Sequence, residues 1–184
     1  MKTTQSHPLW YTLAYLFPVC TALGVAFQGP WTYLAAFWMF ILVPLLDEFL
    51  GDFKTNYEKE AEADVQGKRV YRVITQLWVP VQVAIQCWGL WTLATVPMAG
   101  WEMFGLITSL GILGATGINV SHELMHRPNS WSKALAEINL TAVSYAHFSV
   151  EHVHGHHKSV ATKNDPATAQ YGDNVFSFIP RSIL

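Results

Sequence analysis

Charged side chains are scarce in this sequence: aspartate, glutamate, lysine and arginine together make up only 13% of the chain. Soluble domains carry roughly 25% charged residues. Hydrophobic residues reach 51% and aromatic residues 14%, so the composition favours a membrane protein. The net charge of −2 provides no electrostatic basis for binding nucleic acid, and we expect no nucleic-acid partner.

Cysteine is also rare, with one thiol in each of two apolar runs, at Cys20 and Cys87. Thiols in such runs behave as small hydrophobic residues, and this pair predicts neither a disulfide framework nor a thiolate metal site. We expect no cleavable secretory signal, because the first apolar run is longer and more aromatic than a signal peptide and lacks a small-residue cleavage site.

Long stretches almost free of charge account for most of the first 120 residues. A helix needs about 20 residues to cross the hydrocarbon core of a bilayer. The sequence therefore predicts an all-α integral membrane protein with about four transmembrane helices, at 9–27, 31–50, 74–96 and 101–120. We expect residues 1–184 to form a single membrane domain, in which residues 121–184 are a cytoplasmic metal-binding region.

The basic residues indicate how these helices are oriented. Four crossings place the N-terminal tail, the charged stretch 51–72 and everything after Val120 on one side, with short turns near Gly29 and Ala99 on the other. The eleven lysines and arginines all fall on the first side: Lys2, Lys54, Lys59, Lys68, Arg69, Arg72, Arg127, Lys133, Lys158, Lys163 and Arg181. Because basic loops remain in the cytoplasm, we predict that this side is cytoplasmic.

The fourth predicted helix contains glycines three residues apart, at Gly111, Gly114 and Gly117. Small residues with this spacing let a neighbouring helix approach closely, although membrane helices also simply tolerate glycine. The spacing favours close packing at these positions.

Seven of the eight histidines lie between His122 and His157. His122 and His126 are four residues apart, and so are His152 and His156, so a helix places each pair on one face. Clustered imidazoles are costly to bury without a partner, whereas neutral imidazole is the commonest metal ligand. We predict that His122, His126, His152, His156 and His157 bind metal.

The neighbouring polar residues have less specific patterns. His154 falls between the ligand positions, and we expect it on the surface or just outside the ligands. Glu123 and Glu151 each lie beside a predicted ligand, where a carboxylate either orients an imidazole or is a solvated charge at a helix end. His147 and His7 have no partner in the pattern, so we place both outside the cluster.

Both histidine segments must lie on the same side of the membrane to share one metal centre. Residues 133–150 between them are mostly apolar but include Lys133, Glu137, Asn139 and His147. This composition disfavours a further crossing and predicts an amphipathic or re-entrant helix that returns the chain to the same side.

Three classes of protein fit the histidine pattern. His122-Glu123-x-x-His126 matches the helix of zinc proteases, in which glutamate activates a zinc-bound water, so an intramembrane zinc metalloprotease is one reading. That motif does not require a second cluster, and many imidazoles suit iron and oxygen chemistry. A membrane protein that binds metal without catalysis is the third reading, although the chain lacks a methionine- or cysteine-rich path.

The two clusters resemble the first two histidine boxes of the membrane-bound alkane 1-monooxygenases, which belong to the membrane fatty-acid desaturase and hydroxylase superfamily. The resembling motifs are His122-Glu123-Leu124-x-His126 and Glu151-His152-x-x-Gly155-His156-His157. Pro44–Asp47 with Gly51-Asp52, and Val160–Ala167, also resemble flanking segments of that family. These flanks favour the alkane hydroxylases and the related xylene monooxygenases over the fatty-acid desaturases and fatty-acid hydroxylases of the same superfamily.

The resemblance implies a non-haem diiron centre held by the five histidines, with Glu123, Glu151, Asp165 and His154 around the ligands. It implies oxygen-dependent hydroxylation of the terminal methyl of medium-chain alkanes, taken from the membrane, to primary alcohols. Electrons would come from rubredoxin and an NADH-dependent rubredoxin reductase. It also implies a multi-pass protein of the bacterial inner (cytoplasmic) membrane with cytoplasmic histidine boxes.

The sequence departs from the family beyond the second box. The family has a third box, His-x-x-His-His, a further histidine and six membrane helices, whereas this chain has no histidine after His157. The resemblance therefore implies an N-terminal fragment of a longer enzyme. Five histidines are too few for two iron sites of the family type, so we expect the fragment alone to be inactive.

Overall fold

Regular structure is entirely helical in the part of the chain that a computed structural model describes, residues 8–51 and 68–183. The predicted all-α class is thereby confirmed. Residues 1–7, which include His7, and residues 52–67, which form most of the charged stretch, lie outside the described residues.

The helices are numbered here in chain order. A 3-10 segment, Pro8–Tyr15, leads into the first of them. They are α1 (Leu16–Phe27), α2 (Gly29–Leu50), α3 (Arg69–Thr95), α4 (Gly100–Met125), α5 (Ser130–Ala142), α6 (residues 148–159) and α7 (Val175–Ile183). Two of them depart from regular α-helix: α2 contains a π-helical turn at Trp38–Leu42, and α6 contains one at Glu151–His156.

Within the described residues, three helices are long and apolar enough to cross a membrane. They are α2, α3 and α4, with 22, 27 and 26 residues, and the apolar helical segment Tyr11–Phe27 is shorter. Large apolar side chains cover their outer surfaces, for example Phe40 at 66% and Phe104 at 65% exposure. Such a surface requires an apolar surrounding, so the protein is a membrane protein. The chain remains helical past residue 120, the predicted end of the fourth crossing, as far as Met125.

The first four helices form two adjacent hairpins that point the same way. At one end of the bundle, the Tyr15 hydroxyl of the segment before α1 donates to the Ile74 carbonyl of α3 over 2.6 Å. At the other end, the Glu102 carboxylate accepts hydrogen bonds from the backbone N–H of Gly29 at 2.9 Å and of Ala99 at 2.7 Å. Glu102 therefore joins the two short turns, and His122 lies near the opposite end of the bundle.

α5 runs back alongside α4 instead of leaving the bundle. The Asn139 amide donates to the Gly117 carbonyl and to the Ser121 hydroxyl, both at 2.9 Å. Leu135, Ala136 and Leu140 of α5 are buried in one apolar cluster with Val79, Leu124 and Met125 of α3 and α4. α5 therefore packs beside the last turns of α4, and α6 then brings the chain back to His122.

The glycines of α4 differ in how closely they are packed. A Cβ atom at Gly117 would lie 1.9 Å from Oε1 of Gln82, and one at Gly114 would lie 3.0 Å from Cγ1 of Val143. A Cβ atom at Gly111 would meet nothing within 4 Å. Close packing therefore holds for the last two glycines of the series and not for the first.

Replacing Gly117 with alanine is expected to lower the free energy of unfolding by about 1–3 kcal/mol, the usual effect of overpacking. Gln82 is fully buried and accepts a 2.6 Å hydrogen bond from Trp78 Nε1, so it cannot move aside freely. Gly111→Ala in the same helix is the matched control and should be neutral or stabilising by up to ~1 kcal/mol. Thermal unfolding in detergent compares the two, and equal changes would contradict this packing.

Candidate metal site

The first pair of histidines lies where α4 ends. His122 lies in the last turn of the helix, and His126 follows Met125 with helical backbone angles, φ −77° and ψ −10°. One helical turn therefore separates the two rings, as their spacing predicts. Their Nε2 atoms are 3.3 Å apart.

The π-helical turn of α6 determines which histidine lies beside His152. The backbone N–H of His157 bonds to the carbonyl of His152, which is the i→i+5 pattern of a π-helix. Residues five apart then share a face, and the Nε2 atoms of His152 and His157 lie 2.9 Å from each other. The α-helical spacing expected for this segment would have paired His152 with His156 instead, and the structure differs on this point.

Four imidazole nitrogens converge between α4 and α6. Those of His122, His126, His152 and His157 all lie within 4.8 Å of one another. Nε2 of His152 is 2.7 Å from that of His122 and 3.3 Å from that of His126. A ring nitrogen has either one proton or one lone pair, so hydrogen bonds cannot satisfy so many facing nitrogens together. A metal ion between them can, and the donor set therefore fits a metal bound by imidazoles.

The surroundings favour the neutral form of two of these rings, His152 and His126. Burial, and then the neighbouring rings of His122, His157, His126 and His156 in that order, together lower the pKa of His152 to about 4. The pKa of His126 is lowered mainly by burial and then by His122 and His157, while Glu123 raises it. Neutral imidazole is the form that binds a metal ion, so these shifts favour metal binding by His126 and His152.

The fifth predicted ligand, His156, lies beside this cluster and is held by Asp165. Nδ1 of His156 is 2.8 Å from Oδ2 of Asp165, and the centre of its ring is 5.4 Å from that of His152. The Asp165 side chain is only 1% exposed. It also accepts hydrogen bonds from the Thr168 hydroxyl and, at 3.0 Å, from the Ala167 backbone N–H.

These contacts determine the ionisation of Asp165. The hydrogen bond from Thr168 contributes most to lowering its pKa, with smaller contributions from Ala167 and His156, while burial opposes them. Asp165 is therefore a carboxylate that accepts from Nδ1–H of His156. With Nδ1 engaged in this way, Nε2 is the nitrogen of His156 that remains for a metal ion.

The other predicted residues lie outside the group of four nitrogens. Glu123 forms a 2.6 Å ion pair with Arg127 one turn along the helix. Glu151 and His154 are exposed on α6. His147 lies against Tyr145, with ring centres 4.7 Å apart.

Sequence reasoning missed two residues that support the site. Thr168 donates to Asp165, and the ring of Phe148 stacks on that of His152 with centres 5.0 Å apart. The sequence spacing of both residues could have indicated these contacts. Thr168 lies three residues after an aspartate in a turn, a common spacing for side-chain hydrogen bonds, and Phe148 lies four residues before His152 in a helical segment.

Comparison with known proteins adds to this geometry. Residues 99–184 match the fatty acid desaturase family, and this match includes every residue of the site. An alkane 1-monooxygenase of Pseudomonas putida is 38% identical over 80% of this chain and 37% of its own length. An alkane 1-monooxygenase of Alcanivorax borkumensis is 33% identical over 95% of this chain and 44% of its own length.

The chain is related to the alkane 1-monooxygenases. The resemblance noted in the histidine boxes and their flanks is thereby confirmed. The hydroxylase component of a xylene/toluene monooxygenase of Pseudomonas putida is a more distant relative, 28% identical over 90% of this chain and 44% of its own length. The chain spans less than half the length of each of these relatives.

Proposed function

We propose that this protein belongs to an oxygen-dependent, non-haem iron monooxygenase that hydroxylates the terminal methyl of medium-chain alkanes to primary alcohols. The observation that supports this most is the convergence of four imidazole nitrogens at one end of a membrane helix bundle. In a relative of the alkane 1-monooxygenases, such a cluster is best explained as a metal centre for oxidation.

In this proposal His122, His126, His152 and His157 hold one iron ion, and His156 contributes to a diiron centre together with ligands outside this set. Asp165 fixes the His156 ring, and Phe148 supports the His152 ring. Iron bound there would supply the strong oxidant that an unactivated C–H bond requires, which no side chain can provide. The protein's own task is to hold these imidazoles in the correct orientation.

The position of the cluster suits a substrate and an electron donor that approach from different phases. An alkane partitions into the bilayer and would reach the site between the helices. The proposed donor, rubredoxin with its NADH-dependent reductase, is water-soluble and would approach from the cytoplasm. A site at the end of α4, where the helix leaves the apolar part of the bundle, is accessible to both.

The zinc protease reading is less well supported. Its chemistry needs the glutamate of the His122-Glu123-x-x-His126 motif beside the metal-bound water. Glu123 instead pairs with Arg127 at 2.6 Å. The xylene monooxygenase reading has the support of one relative at 28% identity, compared with 33–38% for the two alkane 1-monooxygenases.

Activity in membranes tests this function. The gene's full reading frame is expressed, and membranes are supplied with octane, ¹⁸O₂, NADH, rubredoxin and its reductase. We expect 1-octanol containing ¹⁸O, which His152→Ala abolishes and His154→Ala leaves in place. Peptide cleavage by the zinc-loaded protein without oxygen uptake would instead favour the protease.

The orientation in the bacterial inner membrane is a further prediction. We expect the histidine end to be cytoplasmic and the turns near Gly29 and Ala99 to face the periplasm, because a topology with four crossings assigns all eleven lysines and arginines of the sequence to the histidine side. Single cysteines are introduced as Ser6→Cys, Lys59→Cys, Ala99→Cys and Ser159→Cys after both native cysteines are replaced. An impermeant thiol reagent should label intact cells only at position 99, and labelling at 59 or 159 would refute this orientation.

A further inference from the structure

A second concave site lies at the histidine end of the bundle, between the start of α3 and the start of α5. It is a cavity of about 350 Å³ lined by Arg69, Arg72, Val73, Gln76, Asn129 and Trp131. No histidine of the metal cluster lines it. Its floor is fixed, because Gln76 Nε2 donates to the Ser132 hydroxyl at 3.0 Å and the Ser132 backbone N–H donates to the Asn129 side chain at 2.8 Å.

The two arginines of this cavity have no charged or hydrogen-bonded partner among the residues that the structure describes. Both are exposed in the first turn of α3. The first turn contains no acidic residue. Cations at a helix N-terminus oppose the helix dipole, so this placement is unfavourable unless an anion joins them.

The surface next to the cavity is apolar and faces outward. Val70, Val73 and Leu77 of α3 are 42%, 38% and 53% exposed, and they repeat at helical spacing on one side of the helix. Ile138 of α5 is 51% exposed, and Trp131 at the rim is 62% exposed. Tryptophan at a boundary between polar and apolar surface is typical of the membrane interface.

We infer that this cavity binds the headgroup of an anionic phospholipid. Arg69 and Arg72 would contact the phosphate, Gln76 and Asn129 would meet polar headgroup atoms, and Trp131 would cover the glycerol region. The acyl chains would lie along the stripe of Val70, Val73 and Leu77. The arginine fork binds phosphate oxygens in pairs, and the cytoplasmic leaflet, where we place this end of the bundle, is rich in anionic lipid.

Lipid titration of the purified chain in nanodiscs tests this site. Native mass spectrometry measures binding of phosphatidylglycerol and, separately, of phosphatidylcholine, and thermal unfolding measures the resulting stabilisation. We expect preferential binding of phosphatidylglycerol that Arg69→Gln with Arg72→Gln weakens roughly tenfold or more, since basic residues near an anionic surface are attracted to it. Arg69→Lys with Arg72→Lys keeps the charge and should retain part of the preference.

The control removes the same number of charges elsewhere. Lys133→Gln with Lys163→Gln affects two exposed lysines on the same side of the bundle, neither of which lines the cavity, and should leave the preference unchanged. Equal loss in the two double variants, or equal binding of both lipids by the wild type, would overturn the site. Inorganic phosphate should stabilise the protein far less than the lipid, and equal stabilisation would overturn the lipid assignment.

Discussion

Replacing His152 with alanine is expected to lower the protein's affinity for iron by more than about 100-fold. Removing only an outer partner of a ligand typically costs 10–100-fold, and His152 is the most central of the four rings. Its Nε2 lies 2.7, 2.9 and 3.3 Å from the corresponding atoms of His122, His157 and His126. The substitution therefore removes the donor that faces all the others.

His154→Ala provides the control for this prediction. His154 lies in the same π-helical turn but is exposed and is not one of the four converging nitrogens. Competition with a chelator of known affinity measures iron binding in both variants, and thermal unfolding checks that both are folded. If the two variants lost iron to the same extent, the assignment of the four-nitrogen cluster as the site would be wrong.

Replacing Asp165 with alanine is expected to weaken iron binding by about 10–100-fold, the range found for residues that orient a metal-bound histidine. The carboxylate holds Nδ1 of His156 at 2.8 Å and is itself held by Thr168 and Ala167. Without it, the His156 ring can rotate and can protonate at either nitrogen. Asp165→Asn should restore part of the affinity, because its amide oxygen can still accept from Nδ1–H.

Asp173→Asn separates this positioning role from a general loss of negative charge. Asp173 also forms an ion pair, with Arg181 at 2.7 Å, and in the described ranges no hydrogen bond or ion pair joins it to a histidine. We expect this variant to bind iron as the wild type does. Rescue by Asp165→Asn together with an unchanged Asp173→Asn supports positioning, whereas loss of affinity in both would indicate only long-range electrostatics.

The membrane fold was predictable because it depends on composition and run length. A stretch of about 20 apolar residues predicts a crossing whatever its neighbours are. In the sequence, by contrast, Asn139 indicates only that the segment after Pro128 is too polar for a membrane crossing. Its two hydrogen bonds to α4, which show that α5 returns beside that helix, depend on tertiary packing that no local pattern records.

The candidate site was predictable as a set of histidines but not as a geometry. The four-residue spacing predicts that His156, and not His157, shares a helix face with His152. The π-helical turn distinguishes them, because it adds a residue to the turn and brings His157 to the face of His152. π-Helical turns are frequent at functional sites. An assumption of regular α-helix therefore gives the wrong neighbour for His152 at the metal site.

X-ray absorption at the iron edge of the iron-loaded protein tests the central claim most directly, because it reports the atoms bound to the metal. The four converging nitrogens predict a first shell of nitrogen with the outer-shell scattering of about four imidazole rings. His152→Ala should reduce that scattering, and His154→Ala should not. A first shell of oxygen or sulfur without imidazole scattering, or a spectrum that His152→Ala leaves unchanged, would contradict a metal centre at this cluster.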